Sequence, residues 1–141
     1  MSIAQNEQIM RTYLEEVCGK GRMELIEDLA NEDMVDEAAL MVGGPAGREG
    51  LVSHVNLFFS SLDDTKIDIK RIVANEDEVM AWWTADGIHK EEWLGIPATN
   101  KRMLSHACSF FKIRDGKIAR YTLLAAIGFD TPIIFDSTAS R

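Results

Sequence analysis

The sequence predicts a single α+β domain in which about three N-terminal helices pack against a strongly bent antiparallel sheet. Apolar residues recur at helical spacing over residues 9–62, whereas residues 65–127 form apolar runs separated by polar turns. Helices followed by a series of strands are typical of α+β proteins. The length of 141 residues corresponds to one domain, which we place at 1–141 with 129–141 as a C-terminal tail.

The helices are predicted from apolar stripes. The first stripe consists of Ile9, Met10, Tyr13, Leu14 and Val17. We expect Gly19 and Gly21 to end this helix, because glycine readily adopts the left-handed cap conformation. A shorter helix is predicted around residues 23–29, ending where the polar residues 31–33 break the pattern. Residues 34–41 are predicted to be a short strand or an extended segment, and a third helix follows over about 48–62, closed by residues 63–64.

Four strands are predicted after the helices. Residues 65–73 alternate between apolar and charged side chains with one slip near Arg71, which indicates a half-buried strand. The apolar runs 79–89, 103–113 and 118–127 predict three further antiparallel strands, joined by a polar loop and a tight turn. A long meander covered by helices is a pocket-forming arrangement, so we expect the function to reside in the pocket.

Composition and charge argue against several classes of function. The net charge is -8, from 23 acidic and 15 basic residues, whereas nucleic acids and anionic membranes require a basic face. No window approaches 18 uninterrupted apolar residues, so no membrane span is predicted, and the N-terminal residues do not resemble a signal peptide. Cys18 and Cys108 lie far apart, and we interpret them as buried thiols in a reducing cytoplasm.

The three histidines, His54, His89 and His106, are not at metal-ligand spacing on one element, and no carboxylate pattern completes a site. The sequence therefore predicts no metal and no cofactor.

Four short motifs occur in a characteristic order: GREG at 47–50, WTADGIH at 83–89, GIPATNK at 95–101 and DGKI at 115–118. In order and spacing they resemble the SnoaL-like polyketide cyclases, within the nuclear transport factor 2-like and ketosteroid isomerase-like group, over residues 5–128. The resemblance implies a cone-shaped fold, a hydrophobic small-molecule substrate and a homodimer. It is less specific for chemistry, because this fold also carries isomerases, hydrolases and non-catalytic binders.

The sequence departs from the family pattern at important positions. By the spacing of the motifs, the acid/base histidine and aspartate of the polyketide cyclases fall on Ser109 and Leu123. Leucine cannot transfer a proton, so the cyclase mechanism does not carry over intact. The glycine usual in the third motif is Asn100, which tolerates a left-handed turn. The aspartate base of the ketosteroid isomerases falls on Glu37, and the oxyanion-donating tyrosine of those enzymes falls near Tyr13.

Four residues are candidates for proton transfer or oxyanion stabilisation: Glu37, His54, His89 and Tyr13. We expect burial at a pocket wall to raise the pKa of Glu37, which would make it a base near neutral pH; alternatively, Asp36 and Glu37 are solvated ends of an edge strand. His54 lies on or beside the apolar face of the third helix, where it would protonate a carbonyl or enolate oxygen or would be a hydrogen-bonded core residue.

His89 would stabilise an oxyanion or, alternatively, order the polar loop that follows it. Tyr13 would donate a hydrogen bond to a substrate oxygen, or its hydroxyl would lie at the surface. On a strand His106 would share a face with Leu104 and Cys108 and lie opposite Ser105 and Ser109, so we expect it to face away from the cavity.

The expected substrate-binding residues are Trp83, Phe58, Trp93, Ser109 and Met103. With Phe110 and Phe111 they would form an aromatic, apolar pocket suited to a polycyclic or terpenoid ligand. For Phe58 and Phe111 a place in the plain core is the favoured alternative. Trp82 and Trp83 must face opposite sides of a regular strand. Ser109 has no nucleophile elbow around it, so we do not expect it to be a nucleophile.

These observations favour a cofactor-free cyclase or isomerase that acts by acid/base proton transfer on a hydrophobic, carbonyl-bearing, polyketide- or terpenoid-like molecule. The alternative is a non-catalytic small-molecule-binding or dimeric assembly module, favoured by the loss of the cyclase pair at Ser109 and Leu123. A less favoured third interpretation is an epoxide hydrolase-type enzyme, which needs an Asp-Arg-Asp arrangement; Arg102, Arg120 and Asp86 are the only candidates for it.

Overall fold

The structure is a computed structural model that describes residues 2–129. The chain begins with α1 (Ile3–Thr12), a π-helical turn (Tyr13–Cys18), a 3₁₀ turn (Met23–Leu25) and α2 (Ile26–Leu29). The next elements are β1 (Ala30–Asp36), α3 (Glu37–Met41) and α4 (Arg48–Ser60). Four long strands complete the fold: β2 (Leu62–Ala74), β3 (Glu78–His89), β4 (Arg102–Arg114) and β5 (Lys117–Phe129).

The five strands form one mixed sheet in the order β1-β5-β4-β3-β2. Strands β2 to β5 are the predicted antiparallel meander. Strand β1 adds a parallel edge beside β5, with Ala30 opposite Ile118 and Asp36 opposite Tyr121. A parallel neighbour requires a crossover connection, and here the rest of the domain supplies it. The predicted α+β architecture is confirmed, with this parallel edge strand as an addition.

The segment between the second and third predicted helices folds differently from the expectation. The predicted strand at 34–41 is wrong in its second half, because β1 ends at Asp36 and residues 37–41 are helical. The Asp36 side chain accepts a hydrogen bond from Ala39 N at 3.0 Å, which caps α3 and turns the chain out of the sheet. Residues 31–33, expected to be a break, lie in β1. Their polar side chains are tolerated because β1 is an edge strand.

Strand β2 begins earlier than predicted. Helix α4 ends at Ser60, and residues 63–64, expected to close it, already pair with β3. A register shift lies between Asp63 and Lys66, and Asp64 has a positive φ of 52°. A second register shift lies between Ile69 and Arg71, which confirms the slip that the sequence pattern shows near Arg71.

The core lies between the helices and the concave face of the sheet. Met10, Leu14 and Val17 from the N-terminal helices and Leu51 and Val55 from α4 pack there against Val79, Trp83, Phe111 and Tyr121 of the strands. No helix within residues 2–129 is long and apolar enough to cross a membrane. Of the predicted tail, Phe129 belongs to β5, whereas residues 130–141 lie outside the described residues.

Candidate functional site

Two neighbouring cavities lie beside α4: an inner one between this helix and the concave face of the sheet, and an outer one between this helix, α3 and the loop after β3. The inner cavity has a volume of about 70 Å³ and is lined by Tyr13, His54, Val55, Phe58, Phe59, Trp83, Trp93, Ser105, Ala107, Tyr121, Leu123, Ala125 and Ile127. The outer cavity, of about 250 Å³, is lined by Ala38, Ala39, Met41, Val42, Gly44, Ser53, His54, Leu57, Trp93, Leu94 and Leu123. Three side chains border both: His54, Trp93 and Leu123. Together the cavities reach the lower end of the roughly 300–1,000 Å³ typical of ligand pockets.

A buried aspartate–histidine pair lies at the junction of the two cavities. Asp36 is only 2% exposed. Its Oδ1 caps α3, and its Oδ2 lies 2.8 Å from Nδ1 of His54 on α4. The carboxylate accepts the hydrogen bond, so the ring proton of neutral His54 resides on Nδ1 and the lone pair on Nε2. No hydrogen bond within residues 2–129 engages Nε2. This nitrogen is therefore available to take a proton from a ligand.

A chain of hydrogen bonds ends at two tyrosine hydroxyls beside the inner cavity. Trp83 Nε1 donates to Ser109 Oγ at 2.9 Å, and Ser109 Oγ lies 2.7 Å from the Tyr121 hydroxyl. The Tyr13 hydroxyl lies 3.4 Å from that of Tyr121. The His54 and Tyr121 rings are 5.5 Å apart between centroids. A small ligand can therefore contact a base and a hydroxyl donor at once.

Burial keeps these hydroxyls protonated. Desolvation raises the pKa of Tyr13 well above its usual value of 10.0, and the neighbouring Cys18 and Tyr121 raise it further. Desolvation also raises the pKa of Tyr121, with its hydrogen bonds to Ser109 and Tyr13 acting in the opposite direction. The pKa of the Cys18 thiol rises to about 12. At neutral pH both tyrosines are therefore neutral hydrogen-bond donors.

Glu37 does not have the environment expected of a base. Arg120 bonds its Oε1 and Thr122 Oγ1 donates to its Oε2 at 3.0 Å. These hydrogen bonds lower its pKa below the ordinary value of 4.5, so the expected rise in pKa is wrong. Glu37 is the first residue of α3 rather than part of a strand, and it lines neither cavity among the described residues.

His89 is fully buried at the end of β3, where it holds the following loop. Its Nδ1 lies 3.1 Å from Thr99 Oγ1 and accepts a hydrogen bond from Thr99 N at 3.3 Å. Its backbone pairs with Asn100 and Lys101. It lines neither cavity. The contacts match the alternative in which His89 orders the loop.

The remaining predicted residues divide between the lining of the inner cavity and the buried interior. Trp83, Phe58 and Trp93 line the inner cavity, as does Tyr13, whose expected surface alternative is wrong. Ser109 is buried behind Tyr121 rather than at the cavity surface. Met103 is buried opposite Gly87 and Phe129 and lines neither cavity.

Trp82 and His106 lie together on the opposite, convex face, where Trp82 Nε1 donates to His106 Nδ1 at 3.2 Å. Trp82 is 41% exposed, whereas Trp83 is 4% exposed. This arrangement confirms the expected opposite orientation of the two tryptophans and the outward orientation of His106.

Tyr121 is a candidate functional residue that the sequence did not single out, and Asp36 was considered there only as a solvated neighbour of Glu37. Strand alternation from Leu123, the position that the resemblance placed in the cavity, points to Tyr121 two residues earlier. No comparable sequence signal pairs Asp36 with His54, because that contact joins β1 to α4 across the fold.

Within residues 2–129 no group of three or more histidine, cysteine or acidic side chains could hold a metal ion. Arg102 pairs with Asp86, and Arg120 pairs with Glu37, but none of these four residues lines either cavity. The Asp-Arg-Asp arrangement expected of an epoxide hydrolase is therefore not formed by these candidates.

Comparisons with known proteins bear on the family and the fold. The family model for the SnoaL-like polyketide cyclases matches residues 8–125. None of the curated proteins matches the sequence. Among solved structures, TsrD from Streptomyces laurentii has a TM-score of 0.77 at 21% identity, covering 89% of this chain and 90% of that one. IdmH, a putative polyketide cyclase from Streptomyces antibioticus, has a TM-score of 0.70 at 23% identity, covering 86% and 91%. AclR, a putative hydroxylase from Streptomyces galilaeus, has a TM-score of 0.71 at 19% identity, covering 88% and 80%. These likenesses show the fold, which is nuclear transport factor 2-like.

Proposed function

We propose that this chain, which belongs to the SnoaL-like polyketide cyclase family, catalyses a cofactor-free cyclisation or isomerisation of a hydrophobic, carbonyl-bearing small molecule. The observation that carries the proposal is the Asp36–His54 pair, which presents a free Nε2 at the junction of two largely apolar cavities. The polyketide- or terpenoid-like character of the substrate rests on the apolar lining and on the family.

His54 acts as the base in this mechanism. Nε2 takes a proton from the carbon next to the substrate carbonyl, and the electron pair of the broken C–H bond forms the enolate. Asp36 holds the ring in the required tautomer and stabilises the imidazolium that results, as a buried carboxylate does for the histidine of hydrolytic triads. Glu37, ion-paired with Arg120, has no part in this step.

A tyrosine hydroxyl of the inner cavity donates a hydrogen bond to the oxygen on which the negative charge develops. A neutral donor fixed in an apolar site stabilises that charge without reorganising at the moment of reaction. In a cyclisation, the enolate carbon then attacks a second carbonyl of the same molecule, and the imidazolium of His54 protonates the new alkoxide. In an isomerisation, His54 returns the proton to a different carbon. Either way, the histidine ends neutral.

The experiment that tests this mechanism needs no knowledge of the natural substrate. Benzylacetone is incubated with the protein in D₂O, and deuterium incorporation next to the carbonyl is followed by NMR. We expect the protein to accelerate exchange and His54→Gln to reduce the acceleration by about 10²–10⁴, the usual contribution of a general base. His106→Gln, on the convex face, is the matched control and should retain the exchange. Equal exchange by His54→Gln and the unmutated protein would refute the assignment.

A second candidate function is a non-catalytic, dimeric binding module. It is favoured by the convex face, where Trp82 is 41% and Leu124 is 72% exposed beside His106. A homodimer formed through this face would cover those apolar side chains, and it is compatible with either function. A protein that binds benzylacetone without accelerating exchange would support the binding module. Cys18 and Cys108 are both free thiols, which supports the proposed cytoplasmic location.

A further inference from the structure

We propose that the inner cavity is a binding subsite for a short acyl group, whose carbonyl oxygen accepts a hydrogen bond from Tyr121. Trp83 and Ser109 act behind Tyr121 as positioning residues. The proposal deepens the proposed function and rests on it, since it states which end of the substrate enters first and how long that end is.

The volume of the inner cavity limits what it can hold. An apolar protein cavity of about 150 Å³ binds benzene, so the inner cavity, at about 70 Å³, has room for about half as many carbon atoms. Small side chains on β4 and β5 contribute to its lining, namely Ser105, Ala107 and Ala125. The outer cavity, at about 250 Å³, is large enough for a ring. The two cavities together therefore suit a ketone that carries about three carbons on one side of its carbonyl group and a bulky apolar group on the other side.

The hydrogen-bond chain determines where the Tyr121 proton points. Tryptophan is a donor only, so Ser109 Oγ accepts from Trp83. Either oxygen could donate in the bond between Ser109 and Tyr121, but Tyr121 Oη is the acceptor that the structure offers to the buried serine hydrogen within residues 2–129, whereas Tyr121 borders the cavity; we therefore assign Ser109 as the donor. Tyr121 Oη is thereby an acceptor from Ser109 and must direct its own hydrogen elsewhere. The Tyr13 hydroxyl is itself a donor to Tyr121 Oη, over 3.4 Å, which is longer than the roughly 2.5–3.0 Å of most O–H···O hydrogen bonds, so it does not take up the Tyr121 hydrogen. The hydrogen is therefore available to a ligand oxygen in the inner cavity.

The position of His54 selects the chemical class. The His54 and Tyr121 rings lie 5.5 Å apart between centroids, and both line the inner cavity, so a carbonyl oxygen at Tyr121 would bring its adjoining carbon close to His54. The same ligand then satisfies the free donor and presents an acidic C–H to the base. A hydrocarbon would leave the Tyr121 hydroxyl unsatisfied, which costs free energy in a buried site.

The first test measures the length of the acyl group that the inner cavity accepts. Dissociation constants are obtained from tryptophan fluorescence, since Trp83 and Trp93 line the cavity. The ligands are benzylacetone and its analogues with the acyl group lengthened one methylene at a time. We expect affinity to rise about fourfold for each methylene that is buried and to fall once the inner cavity is full. Ala125→Leu should shorten the best acyl group. Ala126→Leu, one residue along the strand on the opposite face, should not.

The second test measures the hydrogen bond. Infrared difference spectroscopy reports the carbonyl stretch of bound benzylacetone, which shifts to lower frequency when the oxygen accepts a hydrogen bond. We expect Tyr121→Phe to raise this frequency and to weaken binding about two- to tenfold, the contribution of one neutral hydrogen bond. Ser109→Ala should also raise the carbonyl frequency, but by less than Tyr121→Phe does. Thr122→Val, which removes the next hydroxyl along β5, bonded to Glu37 and outside both cavities, should leave it unchanged.

The outcomes separate the subsite from the function. If the protein binds and exchanges benzylacetone but affinity rises without limit along the series, the subsite is wrong and the function stands. An unchanged carbonyl frequency in Tyr121→Phe likewise overturns only the subsite. If no ketone in the series binds and none exchanges, the proposed function is wrong as well.

Discussion

Replacement of Asp36 by asparagine is the sharpest test of how this site works, because it changes one atom and keeps the shape of the side chain. Asp36 is buried, and its two oxygens have different partners: Ala39 N at 3.0 Å and His54 Nδ1 at 2.8 Å. In Asp36→Asn the amide oxygen can keep the cap of α3. The amide NH₂ then faces His54 Nδ1, which must accept a hydrogen bond instead of donating one.

This exchange moves the ring proton of His54 to Nε2 and removes the lone pair that takes the substrate proton. The same tautomer inversion in the Ser-His-Asp triad lowers kcat about 10⁴-fold. General-base contributions of about 10²–10⁴ set the range expected here. Stability should change little, by about 1 kcal/mol, because a charge-assisted hydrogen bond becomes a neutral one while asparagine remains a good N-cap.

The assay is deuterium exchange of benzylacetone, with urea unfolding as the measure of stability. Glu37→Gln is the matched control, since it neutralises the adjacent carboxylate that is ion-paired with Arg120. We expect exchange to be lost in Asp36→Asn and kept in Glu37→Gln. If Asp36→Asn exchanges at the unmutated rate while folded, the tautomer argument is refuted. If Glu37→Gln alone loses exchange, Glu37 is the base despite its lowered pKa.

Three further predictions concern ionisation, backbone packing and assembly. The chain has two tyrosines, Tyr13 and Tyr121, both buried with raised pKa values. Their favoured neutral form stabilises the fold fully below pH 10, and this contribution is lost as the pH rises above 10; ultraviolet titration should therefore show tyrosinate only as the protein unfolds. Gly50→Ala should destabilise by about 1–3 kcal/mol in urea unfolding, because its Cβ would lie 2.5 Å from the Pro45 carbonyl oxygen. Leu124→Glu on the convex face should halve the mass measured by light scattering if that face forms the proposed homodimer.

Each of these predictions has a control or a contrary result. Tyrosinate absorbance with an ordinary pKa in the folded protein would contradict the burial of both hydroxyls. Gly19→Ala, where the nearest atom would be 3.3 Å away, should be milder than Gly50→Ala; equal losses would mean that the Pro45 contact is not the cause. Met41→Glu, at a residue 86% exposed on α3, should leave the mass unchanged. An unchanged mass in Leu124→Glu would exclude the convex face as the interface.

The local pattern of the sequence was sufficient for most of the fold. Alternation along 79–89 and 103–113 correctly assigned Trp82 and His106 to one face of the sheet and Trp83 and Ser109 to the other, because side-chain direction in a strand depends only on parity. The slip at Arg71 was visible for the same reason. Residues 31–41 were misjudged, because polar residues in an edge strand and a helix begun by an aspartate cap give no periodic signal.

The site depended on contacts that no local pattern records. The sequence by itself determined the helix-then-meander architecture, the resemblance to the family, and a cavity lined by Trp83, Phe58 and Trp93. Only the tertiary structure decided that Asp36 lies against His54, that Arg120 neutralises Glu37, and that Ser109 supports Tyr121. Each of these contacts joins side chains from separate elements, and burial and hydrogen bonding in the folded state set their chemistry, so their roles are fixed only once the strands and helices have packed.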